Sequence, residues 1–310
     1  MNYEQKLLEL IKNDDRIVIM TAENRAAIRN LPEKIGNRFI DVGIAEQTMV
    51  GMAAGLALRG RIPLVHALST FLTMRAFEFI RSDVGIGRLP VKLIGAVPGF
   101  LSEANGPTHQ AIEDISIMRG IPNMNIFCPS DEEDLLIGLE KVINSPYPTY
   151  VRYNNLQSSI EHDPDFEIGK AEIISEGKDV VIISYGILLK QALEAAEILK
   201  VEGKSVGIIN LRTVSPIDRK AIIKACRDAF LVVTIEDHFQ TGGLYSILSE
   251  ILIEEELLCK VLPVALKNKW FKPVLLPDVL EYEEFTGKDI AKKVILELDK
   301  ANYQTAQFYF

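Results

Sequence analysis

Glu46 is the one carboxylate within residues 42–58, a stretch whose other residues are apolar, small or uncharged (VGIAEQTMVGMAAGLAL). Helical spacing places Met49, Val50 and Ala53 on the face that carries Glu46, and the opposite face is no more polar. A helix that is apolar all round is normally buried, and a buried carboxylate is costly unless a second group pairs with it or holds its proton. No basic residue lies within one turn of Glu46, so we expect its partner to come from elsewhere in the fold or from a ligand.

Three other residues that could do chemistry follow or end strand-like segments. His109, in the loop NGPTHQ, comes after the strand predicted for residues 91–97, and in open α/β sheets ligands bind at the carboxyl ends of the strands. A histidine can move protons near neutral pH, and the pattern leaves a functional and a structural role for His109 equally open. Phe71 in STFL and Arg152 in TYVRY have simple structural explanations, a core aromatic residue and one half of a surface salt bridge.

The three remaining histidines also have structural explanations. His66 lies in an apolar strand and is predicted to be a core residue, whereas His162 lies in a polar segment and is predicted to be solvated. His238, in EDHFQTGG, either approaches a site or caps a sheet, and the pattern favours the second. No two histidines have the spacing of metal ligands.

The elements that must position these residues are strand-like apolar runs that alternate with helical patterns, which is typical of α/β units. Residues 1–153 form a first such unit, in which Ser130 and Glu133 predict a capping box. Residues 154–169 (NNLQSSIEHDPDFEIG) are polar, without an apolar period, and are predicted to be an interdomain linker. Residues 170–310 resume the alternation. We therefore predict an α/β protein of two domains, each with a mostly parallel sheet flanked by helices.

Composition excludes several classes of function. A chain of 310 residues can hold two cores, and its net charge of -9 gives no electrostatic footprint for nucleic acid or an anionic membrane. No apolar run is long enough for a membrane span, and the first residues lack the features of a signal peptide. The 3 cysteines are far apart and indicate neither a disulfide framework nor a zinc site, so a cytoplasmic location is the expectation.

Taken in order, the motifs resemble those of the transketolase family of thiamine diphosphate enzymes, specifically its pyrimidine-binding domain followed by its C-terminal domain. DVGIAEQ, STFL, GPTHQAIEDISIMRGIPNM and PSDEEDL come in the order and spacing of that family. TIEDHFQTGGL matches the start of the last helix in the C-terminal domain. The resemblance extends from about residue 16 to about residue 256, most of the chain.

The resemblance implies a role for each candidate residue. Glu46 corresponds to the glutamate that hydrogen-bonds the aminopyrimidine ring of thiamine diphosphate, where a carboxylate in an apolar site favours the imino tautomer of the ring. Phe71 corresponds to an aromatic residue that stacks near this ring, and Phe77 takes a similar place in a looser alignment. His109 corresponds to a catalytic histidine that contacts the substrate oxygen, and Arg152 to an arginine that binds a sugar phosphate.

The diphosphate-binding half of the family is missing from this sequence. That half carries a GDG motif ending in Asn-Asn, which holds Mg²⁺ and the diphosphate; GDG occurs nowhere here, and Asn154 and Asn155 lie in the linker without that context. The resemblance therefore implies one subunit of a split enzyme. It further implies that Mg²⁺ is held mainly by a partner subunit with the diphosphate-binding domain, in an α2β2 heterotetramer.

The substrate loop departs from the family pattern at two positions. Transketolases commonly have a histidine early in the segment before GPTH, which helps bind phosphate, and an aspartate directly before its glycine, which reads a donor hydroxyl. Here Ala96 or Val97 stands near the first position, and Asn105 stands at the second. Asn105 is therefore a candidate substrate contact. The expected substrates are sugars or sugar phosphates, and a modified or non-phosphorylated donor is open.

The implied activity is that of a transketolase-type transferase, which moves a two-carbon ketol unit from a ketose to an aldose. Two other thiamine diphosphate enzymes share Glu46 and the domain order: a deoxyxylulose phosphate synthase and the β subunit of a 2-oxoacid dehydrogenase decarboxylase component. The GPTHQ and IMRGIPNM pattern favours the transketolase and synthase branch. A non-catalytic regulatory homologue is the alternative outside the enzymes, and the retention of Glu46, Phe71 and His109 argues against it.

Overall fold

The computed structural model describes the backbone of residues 1–307 and the side chains of residues 1–300, and within them the strands form two sheets. The strands of the larger sheet are β1 (Ile17–Thr21), β2 (Phe39–Asp41), β3 (Ile62–Leu68), β4 (Lys92–Ala96), β5 (Asn125–Phe127), β6 (Thr149–Tyr153) and β10 (Thr213–Ser215). The strands of the smaller sheet are β7 (Glu172–Ser175), β8 (Val180–Ser184), β9 (Val206–Asn210), β11 (Leu231–Phe239) and β12 (Val261–Leu266).

Helices flank both sheets. In chain order they are α1 (Tyr3–Asn13), α2 (Leu31–Ile35), α3 (Glu46–Leu58), α4 (Phe77–Phe79), α5 (Asp114–Met118), α6 (Glu132–Asn144), α7 (Leu189–Val201), α8 (Arg219–Asp228), α9 (Leu244–Glu254), α10 (Leu276–Tyr282) and α11 (Gly287–Gln307). None of the helices within residues 1–307 combines the length and the hydropathy that crossing a bilayer requires.

Both sheets are mostly parallel. The larger has the order β10-β5-β6-β4-β3-β1-β2 and the smaller the order β12-β11-β8-β9-β7. Only the pairs β10–β5 and β7–β9 are antiparallel among the strand pairs of the described chain. The predicted fold class, α/β with two mostly parallel sheets flanked by helices, is confirmed.

The two domains are more closely joined than the sequence pattern indicates. Strand β10 comes from the second half of the chain, yet it pairs with β5 at the edge of the first sheet. One hydrophobic core contains residues of both halves, such as Met124 and Ile126 packed in the same cluster as Leu211 and Val214. A strand of three residues is too short to show an alternating pattern, so β10 could not be predicted from local periodicity.

Helix α3 is buried on one face only, which corrects the expectation from its apolar composition. The face that carries Met49, Val50 and Ala53 is buried, as the spacing predicts. On the opposite face, Met52 is 41% exposed and Leu58 is 73% exposed. Within a single chain this apolar face has no cover, and a large exposed apolar patch marks an interaction surface.

The linker of residues 154–169 has neither helix nor strand, but it is tied to both domains. His162, predicted to be solvated, is instead buried: its Nε2 lies 2.9 Å from Asp131 Oδ2 and its Nδ1 lies 2.9 Å from Glu172 Oε2. Asp131, and not Ser130, caps α6, because its side chain accepts a hydrogen bond from the amide of Asp134. One side chain therefore caps a helix of the first domain and holds the linker.

Candidate active site

Three of the predicted site residues follow parallel strands of the larger sheet at its carboxyl edge. Glu46 comes after β2, Phe71 after β3, and His109 after β4. Because these strands are parallel, their carboxyl ends meet at one edge, where ligands bind in open α/β sheets. The topology alone therefore brings chemistry from three distant parts of the chain to the same side of the molecule.

Glu46 is the first residue of α3, and its side chain is only 3% exposed. Its partner comes from another element, as expected: Arg75 donates from Nη1 to Glu46 Oε2 over 2.9 Å. Among the side chains the structure describes, none hydrogen-bonds the other carboxylate oxygen, Oε1. A buried carboxylate with one oxygen still free is able to accept a hydrogen bond from a ligand.

The side chain of Arg75 also lies over Phe71, with Cζ 4.1 Å from the centre of the ring. Phe71 also contacts His109, and the two rings pack edge-to-face at a centroid distance of 5.1 Å. The Thr70 hydroxyl donates to the carbonyl of His109 over 2.7 Å. Direct contacts therefore link Glu46 to Arg75, Arg75 to Phe71, and Phe71 to His109. We name these four residues the carboxyl-edge group.

A segment of irregular helix carries Phe71 and Arg75. Residues Phe71–Arg75 and Ile80–Gly85 form π-helical turns on either side of α4, and such turns are frequent at functional sites. The wider turn changes which residues share a face. Phe77, predicted to assist Phe71, is half-buried against the core of the first domain. It forms no aromatic pair with Phe71 or His109 among the described side chains.

His109 and Asn105 belong to one segment, residues 97–113 between β4 and α5, which we name the His109 loop. Asn105 is exposed, and its side chain donates to the carbonyl of Ser102 over 2.9 Å. The hydroxyl of Thr108 lies 2.9 Å from Nδ1 of His109 and orients the imidazole. Gly106 has a φ of 82°, which side-chain-bearing residues rarely adopt, so the turn between Asn105 and His109 favours glycine.

Arg152, for which the family resemblance implies sugar-phosphate binding, does not contact this group. Its side chain is 3% exposed and donates to Asp114 Oδ2 over 2.9 Å and to Asp237 Oδ1 over 2.7 Å. The hydroxyl of Tyr150 donates to the same oxygen of Asp114 over 2.7 Å. Both aspartates are fully buried, and Asp237 belongs to β11 of the second sheet. Arg152 is therefore held in a buried ion-pair cluster between the domains.

Burial dominates the electrostatics of this cluster. It raises the pKa of Asp237, against the opposing effect of Arg152. It would lower the pKa of Arg152, but Asp114 and Asp237 raise that pKa well above its ordinary value. Two nitrogens of the guanidinium are used by Asp114 and Asp237, and the third, Nη2, is buried without a hydrogen-bond partner among the described residues.

Sequence reasoning missed Arg75, the residue that neutralises Glu46. A signal was present, because an arginine four residues after Phe71 lies on the same face of a helix. Nothing in the sequence, however, indicated that this face turns towards Glu46, 29 residues earlier. The interdomain role of Asp114 and Asp237 had no local signal either, since the two are 123 residues apart in the sequence.

The residues present fit the pyrimidine end of thiamine diphosphate and not its diphosphate end. Glu46 Oε1 is a free acceptor beside a flat aromatic face, which suits a ring that carries N–H donors. The residues that the structure describes contain no cluster of three or more His, Cys, Asp or Glu side chains arranged to hold a metal ion. Any Mg²⁺ that accompanies the diphosphate would need ligands beyond these residues.

A cavity of about 1080 Å³ lies away from these residues, in the second domain, where Ile173 of β7, Ile209 of β9 and Ala221 of α8 contribute to its walls. Neither Glu46 nor His109 lines it. The candidate site is instead reached from solvent beside Arg75, whose side chain is 39% exposed.

Comparison with protein families gives two matches along the chain. The model of the transketolase pyrimidine binding domain matches residues 2–158, and the model of the transketolase C-terminal domain matches residues 169–290. The interval between the two matches falls inside the segment of residues 154–169.

Two similar proteins match this chain over nearly their whole length. A putative transketolase C-terminal section from Methanocaldococcus jannaschii is 35% identical, with 96% of this chain and 95% of that protein covered. A 6-deoxy-6-sulfo-D-fructose transketolase subunit, SqwH, from a Clostridium species is 36% identical, with 97% and 95% covered. A 1-deoxy-D-xylulose-5-phosphate synthase from Dictyoglomus thermophilum is 37% identical, but this chain spans only 49% of it.

Solved structures agree with this arrangement. A split gene transketolase, described as an inactive β4 tetramer, superposes with a TM-score of 0.84 at 32% identity, and 96% of each chain is covered. A Pichia stipitis transketolase in complex with sedoheptulose 7-phosphate superposes with a TM-score of 0.81 at 17% identity, over 46% of its length, and shows the fold alone. The chain belongs to the transketolase family of thiamine diphosphate enzymes, as a pyrimidine-binding domain joined to a transketolase C-terminal domain.

Proposed function

We propose that this chain is one subunit of a thiamine diphosphate-dependent transketolase, active with a partner subunit that carries the diphosphate-binding domain. The reaction is the transfer of a two-carbon ketol unit from a ketose donor to an aldose acceptor. The observation that carries the proposal is Glu46: a buried carboxylate with one free oxygen, linked through Arg75 and Phe71 to His109 at the carboxyl edge of a parallel sheet.

Glu46 and Phe71 hold the pyrimidine ring in this proposal. The carboxyl group of Glu46, whose side chain is 3% exposed, would hydrogen-bond a ring nitrogen through Oε1, the oxygen that Arg75 leaves free. Phe71 offers a flat face to the ring. In the isolated chain Arg75 lies over Phe71, so it competes with the ring for that face. When bound, thiamine diphosphate supplies a carbon nucleophile and accepts the negative charge that develops when the donor bond is broken.

His109 acts on the substrate. It lies beside Phe71, and the hydrogen-bond distance from Thr108 to its Nδ1 leaves Nε2 as the nitrogen available to a substrate hydroxyl or carbonyl oxygen. From that position it moves a proton to or from the oxygen as charge develops. Asn105, exposed on the same loop, contacts the donor through its amide, which both donates and accepts.

The donor is a sugar whose terminal anion need not be a phosphate. Arg152, the residue that family resemblance assigns to phosphate binding, is committed to Asp114 and Asp237. The position expected for the phosphate-binding histidine holds Ala96 or Val97. The Clostridium relative is named for a sulfonated sugar, which supports a modified donor for this chain as well.

The partner docks on the exposed face of α3, in our proposal. Met52 and Leu58 are exposed there, and Ile44, just before the helix, is 72% exposed. Gly55 on the same face has open space around it, so a second backbone can approach closely. Ile44 lies two residues before Glu46, so this surface reaches the end of α3 that carries the cofactor contact. The assembly we propose is α2β2. The β4 tetramer of the similar split transketolase supports the idea that copies of this chain cover one another without the partner.

A synthase-like activity is the second candidate, because a deoxyxylulose phosphate synthase is 37% identical over 303 residues. The two activities differ in the donor. A transketolase takes its two-carbon unit from a ketose, whereas the synthase-like reaction begins with decarboxylation of a 2-oxoacid. Release of carbon dioxide from the assembled enzyme with a 2-oxoacid, and no transfer from ketoses, would favour the synthase.

The test is calorimetric titration of thiamine diphosphate and Mg²⁺ into this chain, into a candidate diphosphate-domain subunit and into their mixture. We expect binding in the mixture and none by this chain alone. The mixture is then assayed with phosphorylated, sulfonated and neutral ketoses. Tight binding by this chain alone would show that the diphosphate is held here and would overturn the split-subunit proposal.

A further inference from the structure

We propose that the C-terminal domain positions the His109 loop for catalysis, and that Glu103 is the positioning residue through which it acts. This inference rests on the proposed function, since it assigns a task to the loop that carries His109. It gives the second domain a part in the reaction although none of the candidate cofactor contacts lies there.

The His109 loop is built on the second domain's core. Phe100 is fully buried and packs edge-to-face against Phe271 at 5.2 Å and against Phe285 at 5.0 Å. Phe100 and Ile112 belong to the same hydrophobic cluster as the buried residues of β8, β9 and β11, not to the core under α3. The two ends of the loop therefore take their position from the second domain, although the loop connects two elements of the first.

Polar contacts fix the loop to the same surface. Glu103 Oε1 accepts a hydrogen bond from the amide of Leu276, the first residue of α10, over 3.1 Å. The side-chain amide of Gln110, itself buried, donates to the carbonyl of Phe271 over 2.8 Å. Gln110 directly follows His109, and Glu103 precedes it by six residues, so the two contacts bracket the catalytic imidazole.

The backbone conformation of Glu103 is energetically unfavourable for glutamate. Its φ of 45° and ψ of -123° lie in a region that glycine favours and that costs other residues conformational energy. Such strain persists only where surrounding contacts impose it. The contact at this position is the carboxylate on the first turn of α10, where the helix dipole adds to the hydrogen bond. We infer that this contact holds the kink that turns the chain towards Asn105 and His109.

The first domain alone holds His109 with fewer contacts. The hydroxyl of Thr70 bonds its carbonyl, and the ring of Phe71 packs on its imidazole. Glu46 and Phe71, by contrast, depend on elements of the first domain. The spacing between the pyrimidine contacts and the proton-transfer group is therefore set across the domain boundary, and a misplacement of about 1 Å there is sufficient to cost two orders of magnitude in rate.

The experiment compares three variants in the assembled enzyme. Glu103→Ala removes the acceptor, Glu103→Gln keeps an acceptor oxygen without the charge, and Glu281→Ala removes an exposed carboxylate from the same helix α10 as a matched control. Hydrogen exchange of the amides of residues 101–109 is measured on each chain with and without the partner. Cofactor affinity, kcat and KM for a ketose donor are measured on each assembly.

We expect Glu103→Ala to accelerate exchange in the loop by about tenfold and to lower kcat by at least about tenfold, with cofactor affinity unchanged. Glu103→Gln should restore most of both, and Glu281→Ala should match the wild type. Unchanged loop exchange in Glu103→Ala would overturn the proposal. So would faster exchange with an unchanged kcat. The exchange measurement needs no turnover, so a wild-type assembly that transfers no ketol unit would refute the proposed function and still decide whether Glu103 holds the loop.

Discussion

Two groups of charged residues in this molecule differ in how far solvent and ligands can reach them. At the carboxyl edge of the larger sheet, Glu46 meets Arg75, whose side chain is 39% exposed, and one oxygen of Glu46 stays free. Between the domains, Arg152 lies 3% exposed against Asp114 and Asp237. Nη2 of Arg152 and Oδ1 of Asp114 have no partner among the described residues, but both atoms are buried. The first group is therefore accessible to a ligand, whereas the second is enclosed by the protein.

The comparison shows that depth of burial is a poor guide to function in this fold. Burial shifts the pKa of Asp237 upward, and the pKa of Arg152 is raised well above its ordinary value by the two aspartates, yet this cluster joins domains. Structural ion pairs perturb pKa values as strongly as active sites do. A free carboxylate oxygen next to a solvent-exposed side chain, with an aromatic ring and an imidazole beside them, distinguishes the candidate site better.

The largest effect should come from Glu46→Gln. It keeps the size of the side chain but cannot exchange a proton with the pyrimidine ring, so turnover of the assembled enzyme should fall by about 10²–10⁴-fold. The melting temperature of the chain should change little. Glu78→Gln, an exposed glutamate on α4, is the matched control for ketol-transfer kinetics. Wild-type turnover in Glu46→Gln would show that Glu46 is not a catalytic residue. The carboxyl-edge group would then have no established functional difference from the interdomain cluster.

The second largest effect should come from Arg152→Met, and it should appear in stability. The change leaves Asp114 and Asp237 buried without a cation, so the free energy of unfolding should fall by about 3–5 kcal/mol. Denaturant titration measures this loss. Adding Asp237→Asn to Arg152→Met should recover part of it, because one uncompensated charge is then removed. An Arg152→Met chain of wild-type stability, with a raised KM for phosphorylated sugars only, would restore Arg152 to the substrate site.

The fold class could be predicted from the sequence, and so could the positions of three candidate residues after strands, for a shared physical reason. Periodic apolar segments identify helices and strands, and parallel strands deliver Glu46, Phe71 and His109 to one edge. What could not be predicted depends on pairing at long range. To predict strand β10, the pairing of Glu46 with Arg75 or the burial of Arg152, one must know which distant segments are in contact. No local sequence pattern indicates this.

Replacing His162 should lower the free energy of unfolding by an intermediate amount that depends on pH. Burial by itself would lower the pKa of His162, but its hydrogen bonds to Asp131 and Glu172 raise that pKa from 6.5 to about 10. The folded state therefore binds the proton more tightly than the unfolded chain does. The resulting stabilisation is complete below pH 6.5 and is lost as the pH rises to about 10.

The measurement for His162 is denaturant unfolding across that range for the wild type and for His162→Gln. At pH 6 the variant should be less stable by about 2 kcal/mol, and the difference should narrow towards pH 10. At the acid end, burial would raise the pKa of Glu172, but its hydrogen bonds, chiefly that with His162, lower it to about 2. Its contribution is therefore present above pH 4.5 and lost as the pH falls to about 2. A difference between the two proteins that does not vary with pH would show that His162 is not charged in the linker.

The smallest effect should come from Arg75→Ala. Arg75 pairs with Glu46 and lies over Phe71, the same kinds of contact that make Arg152 indispensable to the interdomain cluster. Yet water reaches its guanidinium, and removing that side chain opens the Glu46 carboxylate to water as well, so the free energy of unfolding should fall by no more than about 1 kcal/mol. Denaturant unfolding of Arg75→Ala beside Arg81→Ala, an exposed arginine of the same segment, measures the difference. A loss of stability as large as that of Arg152→Met would mean that the folded chain requires Arg75 to neutralise Glu46. A ligand could then not take the place of Arg75, and the carboxyl-edge group would have a structural role like that of the Arg152 ion-pair cluster.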